Sequence, residues 1–462
     1  MFGRVKRVHF VGVGGIGMSG IAEVLLNLDF DVSGTDLRES AVTHRLQSLG
    51  ARIEVGHRKE HLGDAQVVVY SSAVRPDNPE VVTARARKIP VIPRAEMLGE
   101  LMRLKFAIAV AGAHGKTTTT SLVATLLAQA GLDPTIVVGG RLLAMGTHAK
   151  LGAGEYLVAE ADESDGSFLR LPPTIAIITN IDAEHLDHYK NLDEILDAFV
   201  QFANKVPFYG SDILCLDDPN VQGIIPRLQK RFVTYGMHTQ ADVTGHLLET
   251  SHEGTRFEVV SGGQRLGDLQ LRMPGEHNVL NALAAVTVGL ELEIPFSSIA
   301  RSLEEFLGVA RRFEIRAVEH DVVFVDDYGH HPTEIAATLR AAKRSYGRRV
   351  VTVFQPHRYS RTRFLMQEFG RAFFDADVLF LTDIYAASED PIPGIDAERL
   401  ARTIREYGHK QVCHFADKEK LTDEVASTIE KGDLVLTLGA GDVSALNDVL
   451  VDKWRQRVEA GS

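Results

Sequence analysis

The feature that most restricts how this chain can fold is the junction at residues 107–130. An apolar run from Ala107 to Val110 leads into Ala-Gly-Ala-His-Gly-Lys-Thr-Thr-Thr-Thr (Ala111 to Thr120), then into the helical pattern Ser121 to Ala130. A strand that turns through glycines directly into a helix is the unit of an α/β sheet with mostly parallel strands. Glycines let the turn's N–H groups and the helix N-terminus face one anion, while Lys116 adds a charge and Thr117 a hydroxyl suited to magnesium. The stretch is therefore expected to cradle phosphate. It departs from the general pattern for such loops, because Val110 stands where a leading glycine would be.

Strand-length apolar runs alternate with helical patterns over all 462 residues, more than one hydrophobic core usually organises. Three stretches separate, with expected domains at 1–104, 105–312 and 313–462. The formal charge of -12 argues against nucleic-acid binding, which needs broad basic surfaces, so a phosphate site here should be a local pocket. Apolar runs such as Phe106 to Ala111 fall well short of the roughly 18–20 residues that span a bilayer, so no membrane insertion is expected. Met1 to Phe10 leads into a glycine-rich turn rather than the apolar core of a secretory signal. Two cysteines, Cys215 and Cys413, cannot form a disulfide framework or a zinc site, which fits a reducing cytoplasm.

Further clusters follow strand-like runs. Glu160 to Asp165 (Glu-Ala-Asp-Glu-Ser-Asp) and Asn180 to His188 should lie at the carboxyl ends of their strands, beside the phosphate cradle. Hard oxygen ligands there would hold magnesium, a role given to Glu160. His185 is a less usual magnesium ligand and also suits a loop or cap, and most of the other carboxylates read as caps and solvated surface. Near the start, Gly12-Val13-Gly14-Gly15-Ile16-Gly17 follows the strand Val8 to Val11, and Asp36 closes a second strand. That is the spacing of a dinucleotide fingerprint, and it serves NAD or any other diphosphate, including that of a nucleotide sugar. Asn278 and Asn281 share one helical face, where they could read a nucleobase edge or cap the helix. The last third gathers Asp326 to Pro332 and Gln355 to Arg363, basic and aromatic groups at two strand ends, whose arginine forks suit a carboxylate or phosphate.

Taken together and in this order, the motifs resemble the Mur ligases over nearly the whole chain, and the phosphate loop lacking its leading glycine is similar to that family's own variant. Gly12 to Ser19, Glu160 to Asp165, Asp326 to Pro332 and Gln355 to Arg361 resemble its alanine-adding members most closely. The resemblance implies an α/β protein of three domains: a Rossmann-like N-terminal domain, a central P-loop ATPase domain with a mostly parallel sheet, and a Rossmann-like C-terminal domain. ATP would be bound by Gly112, Ala113, His114, Gly115, Lys116, Thr117 and Thr118, with Asn278 and Asn281 near the adenine. Magnesium would be held by Thr117 and Glu160, and a second ion by His185. The UDP-bearing substrate would lie on Gly12, Gly14, Gly15, Gly17, Asp36, Ser71 and Ser72. The amino acid would meet Tyr328, His330, His357, Arg358 and Arg361, and catalysis would fall to Lys116, Glu160, His185, His330 and Arg358. The implied reaction joins L-alanine to the lactyl carboxylate of UDP-N-acetylmuramate through an acyl phosphate at the expense of ATP, in a cytoplasmic monomer or homodimer. A nicotinamide dehydrogenase would leave the second cradle without a task, and a nucleotide switch or transport ATPase would leave the first domain without one. A sibling ligase that adds a whole peptide shares the fold.

Overall fold

The computed structural model describes residues 5–71, 73–138, 149–185 and 188–460. Three sheets are built around buried central strands rich in valine, isoleucine and alanine, while several outer strands are largely exposed. The first runs in the order Arg52–Val55, Asp31–Asp36, Arg7–Val11, Val67–Tyr70, Val91–Pro93, parallel throughout. Strand order reverses at Arg7–Val11, so the crevice beyond its carboxyl end, beside that of Val67–Tyr70, is where such a sheet takes a ligand.

The second sheet centres on Phe106–Ala111, between Tyr156–Glu160 on one side and Ile175–Ile178 on the other, both parallel to it. Ser211–Cys215, Phe232–Gly236 and Val243–Ser251 extend the sheet in parallel beyond Ile175–Ile178. The loops after residues 111, 160 and 178 therefore leave from one edge. Gly254–Ser261 and Gln264–Leu271 continue the sheet order through two-residue turns. Gly262 and Gly263 both take positive φ, 56° and 79°, as a two-residue hairpin turn requires.

The third sheet runs Glu314–Glu319, Val322–Asp327, Leu434–Leu438, Val350–Phe354, Val378–Leu381, Val412–His414. Its first pair is antiparallel and the rest parallel. Asp326 and Asp327 lie inside their strand rather than after it. Three α/β domains with mostly parallel sheets result. By compactness the chain divides into two units: 1–246 with 258–269 and 280–307, and 247–257 with 270–279 and 308–462. In the first unit, one apolar core joins the helices of both sheets, from Phe10, Ile21 and Leu25 through Met97 and Leu98 to Phe168 and Phe199. Burying side chains of this size is the main favourable term in folding. Among the described residues, no helix is long and apolar enough to cross a membrane.

Asp212, on the strand Ser211–Cys215, breaks the pattern: it is fully buried, and neither carboxyl oxygen has a hydrogen-bond partner among the described residues. Burial pushes its pKa up from 3.8 to about 8, against a smaller opposing pull from Lys230. Because the folded value lies above the unfolded one, this group weakens the fold progressively as pH climbs from 3.8 toward about 8, and most above that. Asp212→Asn is expected to melt higher than the parent by a few degrees above about pH 8 and to match it near pH 4. Thermal melts across that range check the difference, and a gain that does not change with pH would contradict it.

Candidate active site

The phosphate loop takes its shape from two glycines. Gly112 has φ 136° and Gly115 has φ 80°. A Cβ on Gly112 would stand 2.1 Å from Thr179 Oγ1, and one on Gly115 2.4 Å from Asn281 Oδ1. The end of the neighbouring strand holds the loop from outside. His114 N–H donates to Asn180 Oδ1 (2.8 Å), Ala113 N–H to Asn180 O (3.2 Å), and the Thr179 hydroxyl to His114 O (2.6 Å). Lys116 and Thr117 then open the helix Lys116–Gln129. The Lys116 ammonium donates to Gly112 O (2.6 Å), Ala113 O (3.1 Å) and Glu163 Oε1 (2.9 Å). Burial opposes its charge, yet Glu163, Asp162 and Glu184 together raise its pKa above the ordinary lysine value.

Beside Lys116, His185 Nε2 lies 3.5 Å from Glu163 Oε1 and 3.5 Å from Glu184 Oε2. One donor atom from each of Glu163, Glu184 and His185 lies within 4.8 Å of the others. Glu163 is 3% exposed, and its Oε2 is buried with no hydrogen-bond partner among the described residues. Burial works against its ionisation, but Lys116 and His185 outweigh it, so the carboxyl stays below its ordinary range. Two carboxylates and an imidazole around a buried anionic oxygen suit a hard divalent cation such as magnesium. His185 keeps a left-handed backbone, φ 56°, a conformation that costs a non-glycine residue a little and that histidine tolerates better than most.

In the same unit, a cavity of about 670 Å³ opens over the first glycine loop and is lined by Gly12, Gly15, Asp36, His57, Ser71 and Asn78 among others. Gly14 N–H donates to Asp36 Oδ2 (2.8 Å), and a Cβ on Gly14 would meet that oxygen at 2.9 Å. Asp36 thus anchors the loop as well as facing the cavity. Gly17 leaves room for the Arg94 guanidinium, whose Nη1 lies 2.7 Å from where its Cβ would be. Ser72 lies outside the described residues.

In the second unit, four rings form a continuous wall. Tyr328 meets His330 edge-on at 5.4 Å, His330 meets His357 at 5.8 Å, and His357 stacks on Tyr385 at 5.6 Å and 11°. Arg361 Nη1 reaches His357 Nδ1 at 3.3 Å. Arg358 holds φ 70° and ψ 138°, and its Nε is buried without a partner among the described residues. The segment carrying these residues is pinned from both sides. Arg358 N–H donates to Tyr385 O (2.9 Å), and the Glu389 carboxylate takes both the N–H (3.0 Å) and the hydroxyl (2.6 Å) of Ser360. Burial, reinforced by Arg361 and Arg358, lowers the pKa of His357 to about 4. Burial likewise holds His330 well below the ordinary value. Both imidazoles are neutral at physiological pH.

Family models described as the Mur ligase family catalytic domain, the Mur ligase middle domain and the Mur ligase glutamate ligase domain match residues 7–106, 110–289 and 311–441. The chain is 59% identical to the UDP-N-acetylmuramate–L-alanine ligase of Syntrophotalea carbinolica, over 99% of its own length and 100% of the relative's. This chain belongs to the Mur ligase family. It is 55% identical, over the full length of both chains, to the enzyme of the same name from Geobacter sulfurreducens. Its structure resembles the crystal structure of the UDP-N-acetylmuramate-alanine ligase of Thermotoga maritima with TM-score 0.82 at 30% identity, covering 98% of this chain and 99% of that one. A murein peptide ligase from Psychrobacter arcticus, TM-score 0.72 at 22% identity over 97% and 98% of the two chains, shares the fold.

The structure adds residues to the candidate site and gives several of the expected ones further contacts. Glu160 ends the strand Tyr156–Glu160 in register with Val110, and the carboxylates gathered with His185 are Glu163 and Glu184, read from the sequence as caps or surface. Asn281 is buried, and its Oδ1 accepts the Thr119 hydroxyl (3.1 Å), while Asn278 Nδ2 donates to Pro274 O (2.8 Å). Both amides brace backbone and helix, Asn281 directly beneath Gly115. Tyr385 and Glu389 join the aromatic wall from a loop that carried no motif. Thr117 and Thr118 are nearly buried in the first turn of their helix.

Two outcomes follow. Glu163→Gln should lower turnover by roughly two orders of magnitude and raise the magnesium concentration needed for half-maximal rate, whereas Glu160→Gln should do so far less; magnesium titrations of phosphate release compare them, and a larger effect at Glu160 would restore the sequence assignment. Arg361→Ala should move the His357 midpoint upward from about 4 toward 6.5, because a neighbouring cation no longer opposes protonation. Imidazole NMR titration reads this directly, and an unmoved midpoint would separate the two side chains in solution.

Proposed function

We propose that this Mur ligase joins L-alanine to the lactyl carboxylate of UDP-N-acetylmuramate in peptidoglycan synthesis, with ATP converted to ADP and phosphate. The observation that carries the reading is the pairing, inside one unit, of a Lys116–Glu163–His185 phosphate centre with a separate glycine-loop cavity. A second unit adds an arginine-bearing aromatic wall. One nucleotide site would suffice for a switch or a dehydrogenase; two plus an amino-acid pocket suit a ligase. The names of the full-length relatives point to the same substrates.

In this reading a carboxylate oxygen attacks the γ-phosphorus and ADP leaves, giving an acyl phosphate. The alanine amine then attacks the acyl carbon and phosphate departs, so no protein nucleophile is needed. Lys116 balances charge on the transferring group, and Arg358 and Arg361 hold the alanine carboxylate. The neutral imidazoles of His330 and His357 are fit to accept a hydrogen bond or proton from the amine. Glu163, Glu184 and His185, together with Thr117 and Glu160, would hold magnesium, which when bound would supply further charge neutralisation on the ATP phosphates. Domain limits near Leu104 and Arg312 and a cytoplasmic location, where ATP is available, complete the proposal.

Phosphate release on mixing UDP-N-acetylmuramate, ATP and L-alanine tests the activity, with an alanine-headed peptide as the competing acceptor. Release with the peptide but not with alanine would favour the peptide-adding sibling. Arg358→Ala or Arg361→Ala should raise the KM for L-alanine by roughly 10–100-fold, the scale of a lost charged hydrogen bond, with little change for ATP. Equal losses for both substrates would move these arginines to the phosphates.

A further inference from the structure

We infer that Glu80 is a positioning residue for the nucleotide-sugar pocket, fixing through its buried carboxylate both the anchor of the first glycine loop and the pocket wall at His57. This rests on the reading of the 670 Å³ cavity as the UDP site.

Glu80 lies in the first turn of the helix Pro79–Ala86 and is 0% exposed. A carboxylate taken fully out of water is costly unless its lone pairs are filled. Here they are filled from three directions. Oε2 accepts the Thr35 hydroxyl (2.7 Å) and His9 Nε2 (3.2 Å); Oε1 accepts Arg58 N–H (3.0 Å). His57 Nδ1 and His61 Nδ1 stand 3.7 and 3.8 Å from Oε1. Burial works against ionisation, yet the hydrogen bonds from His9 and Thr35 prevail and the carboxyl stays below its ordinary range.

What these donors do next ties the carboxylate to the pocket. Because the Thr35 hydroxyl gives its proton to Glu80, it must accept from His57 Nδ1 (2.9 Å), which sets the tautomer and orientation of a ring lining the cavity. Thr35 O accepts both Gly12 N–H (2.9 Å) and Val13 N–H (3.0 Å), the first amides of the glycine loop. Asn78, another cavity residue, caps the helix by accepting Glu80 N–H (2.9 Å). None of these groups is in the phosphate centre around Lys116. Core stability alone would be served as well by an apolar side chain of similar volume. A chain of bonds from one buried carboxylate to the loop anchor and a wall residue is what pre-organisation of a binding site requires.

Glu80→Gln keeps the shape, but whichever way the amide turns, an NH2 faces a donor. The variant is expected to raise the KM for UDP-N-acetylmuramate and the Kd for UDP by about tenfold or more, while kcat falls less than about threefold and the KM values for ATP and L-alanine stay put. Thr35→Val, which breaks the same relay at its outer end, should shift the same two constants in the same direction by less. It carries the test if Glu80→Gln fails to fold. Loss of kcat with unchanged UDP affinity, or UDP affinity equal to wild type in a folded variant, would overturn the inference. If the wild-type protein itself does not bind UDP, the reading of the cavity falls, and this inference with it. If it binds UDP but shows no alanine-dependent turnover, the ligase reading fails alone.

Discussion

Lys116 and Glu163 meet at 2.9 Å in a site where the carboxylate is almost entirely buried, and the geometry of the central domain is arranged around that contact. The ammonium is held at the mouth of the loop by two of the loop's own carbonyls. Removing either partner of such a pair leaves the other buried and uncompensated, a loss of about 3–5 kcal/mol. An anion offered to the loop competes with Glu163 for the same ammonium, and a divalent cation competes with the ammonium for Glu163. A metal–triphosphate would satisfy both demands at once, balancing the ammonium with phosphate and the carboxylate with the cation.

Strand order brings the partners together. Residues 112–116, 160–163 and 179–185 are far apart in sequence, yet they leave from the same edge because Phe106–Ala111 lies between Tyr156–Glu160 and Ile175–Ile178, all parallel. The first sheet repeats the solution at Arg7–Val11, and the third sheet gathers the loops after Val322–Asp327 and Val350–Phe354 on either side of Leu434–Leu438. In every case the loop has its own brace: Asn180 and Asn281 for the phosphate loop, Glu80 through Thr35 for the glycine loop, Tyr385 and Glu389 for the arginine segment.

Much of this was legible in the sequence, for a local reason. Glycine at positions 12, 14, 112 and 115 is demanded by positive φ or by an atom within about 3 Å of the missing Cβ, so the loops announce themselves wherever a strand precedes and a helix follows. The braces did not, because their roles exist only after folding. Nothing in Glu-Ala-Asp-Glu-Ser-Asp tells which carboxylate turns inward; the strand running on to Glu160 sends the inward turn to Glu163. Asn281 reads equally well as a base contact or a support until Gly115 is seen to pack against it. Tyr385 comes from a third loop, tied to His357 by a backbone bridge that leaves no sequence signature.

The most direct test of the account follows one oxygen atom. If a carboxylate oxygen attacks the γ-phosphorus and the amine later displaces phosphate from the acyl carbon, then UDP-N-acetylmuramate labelled with oxygen-18 in its lactyl carboxylate must pass one labelled oxygen to inorganic phosphate for each L-alanine joined. Mass spectrometry of the released phosphate should find that label in step with product. Phosphate carrying only solvent or ATP oxygen, alongside alanine-dependent turnover, would contradict the acyl-phosphate route and the role of the Lys116 centre within it.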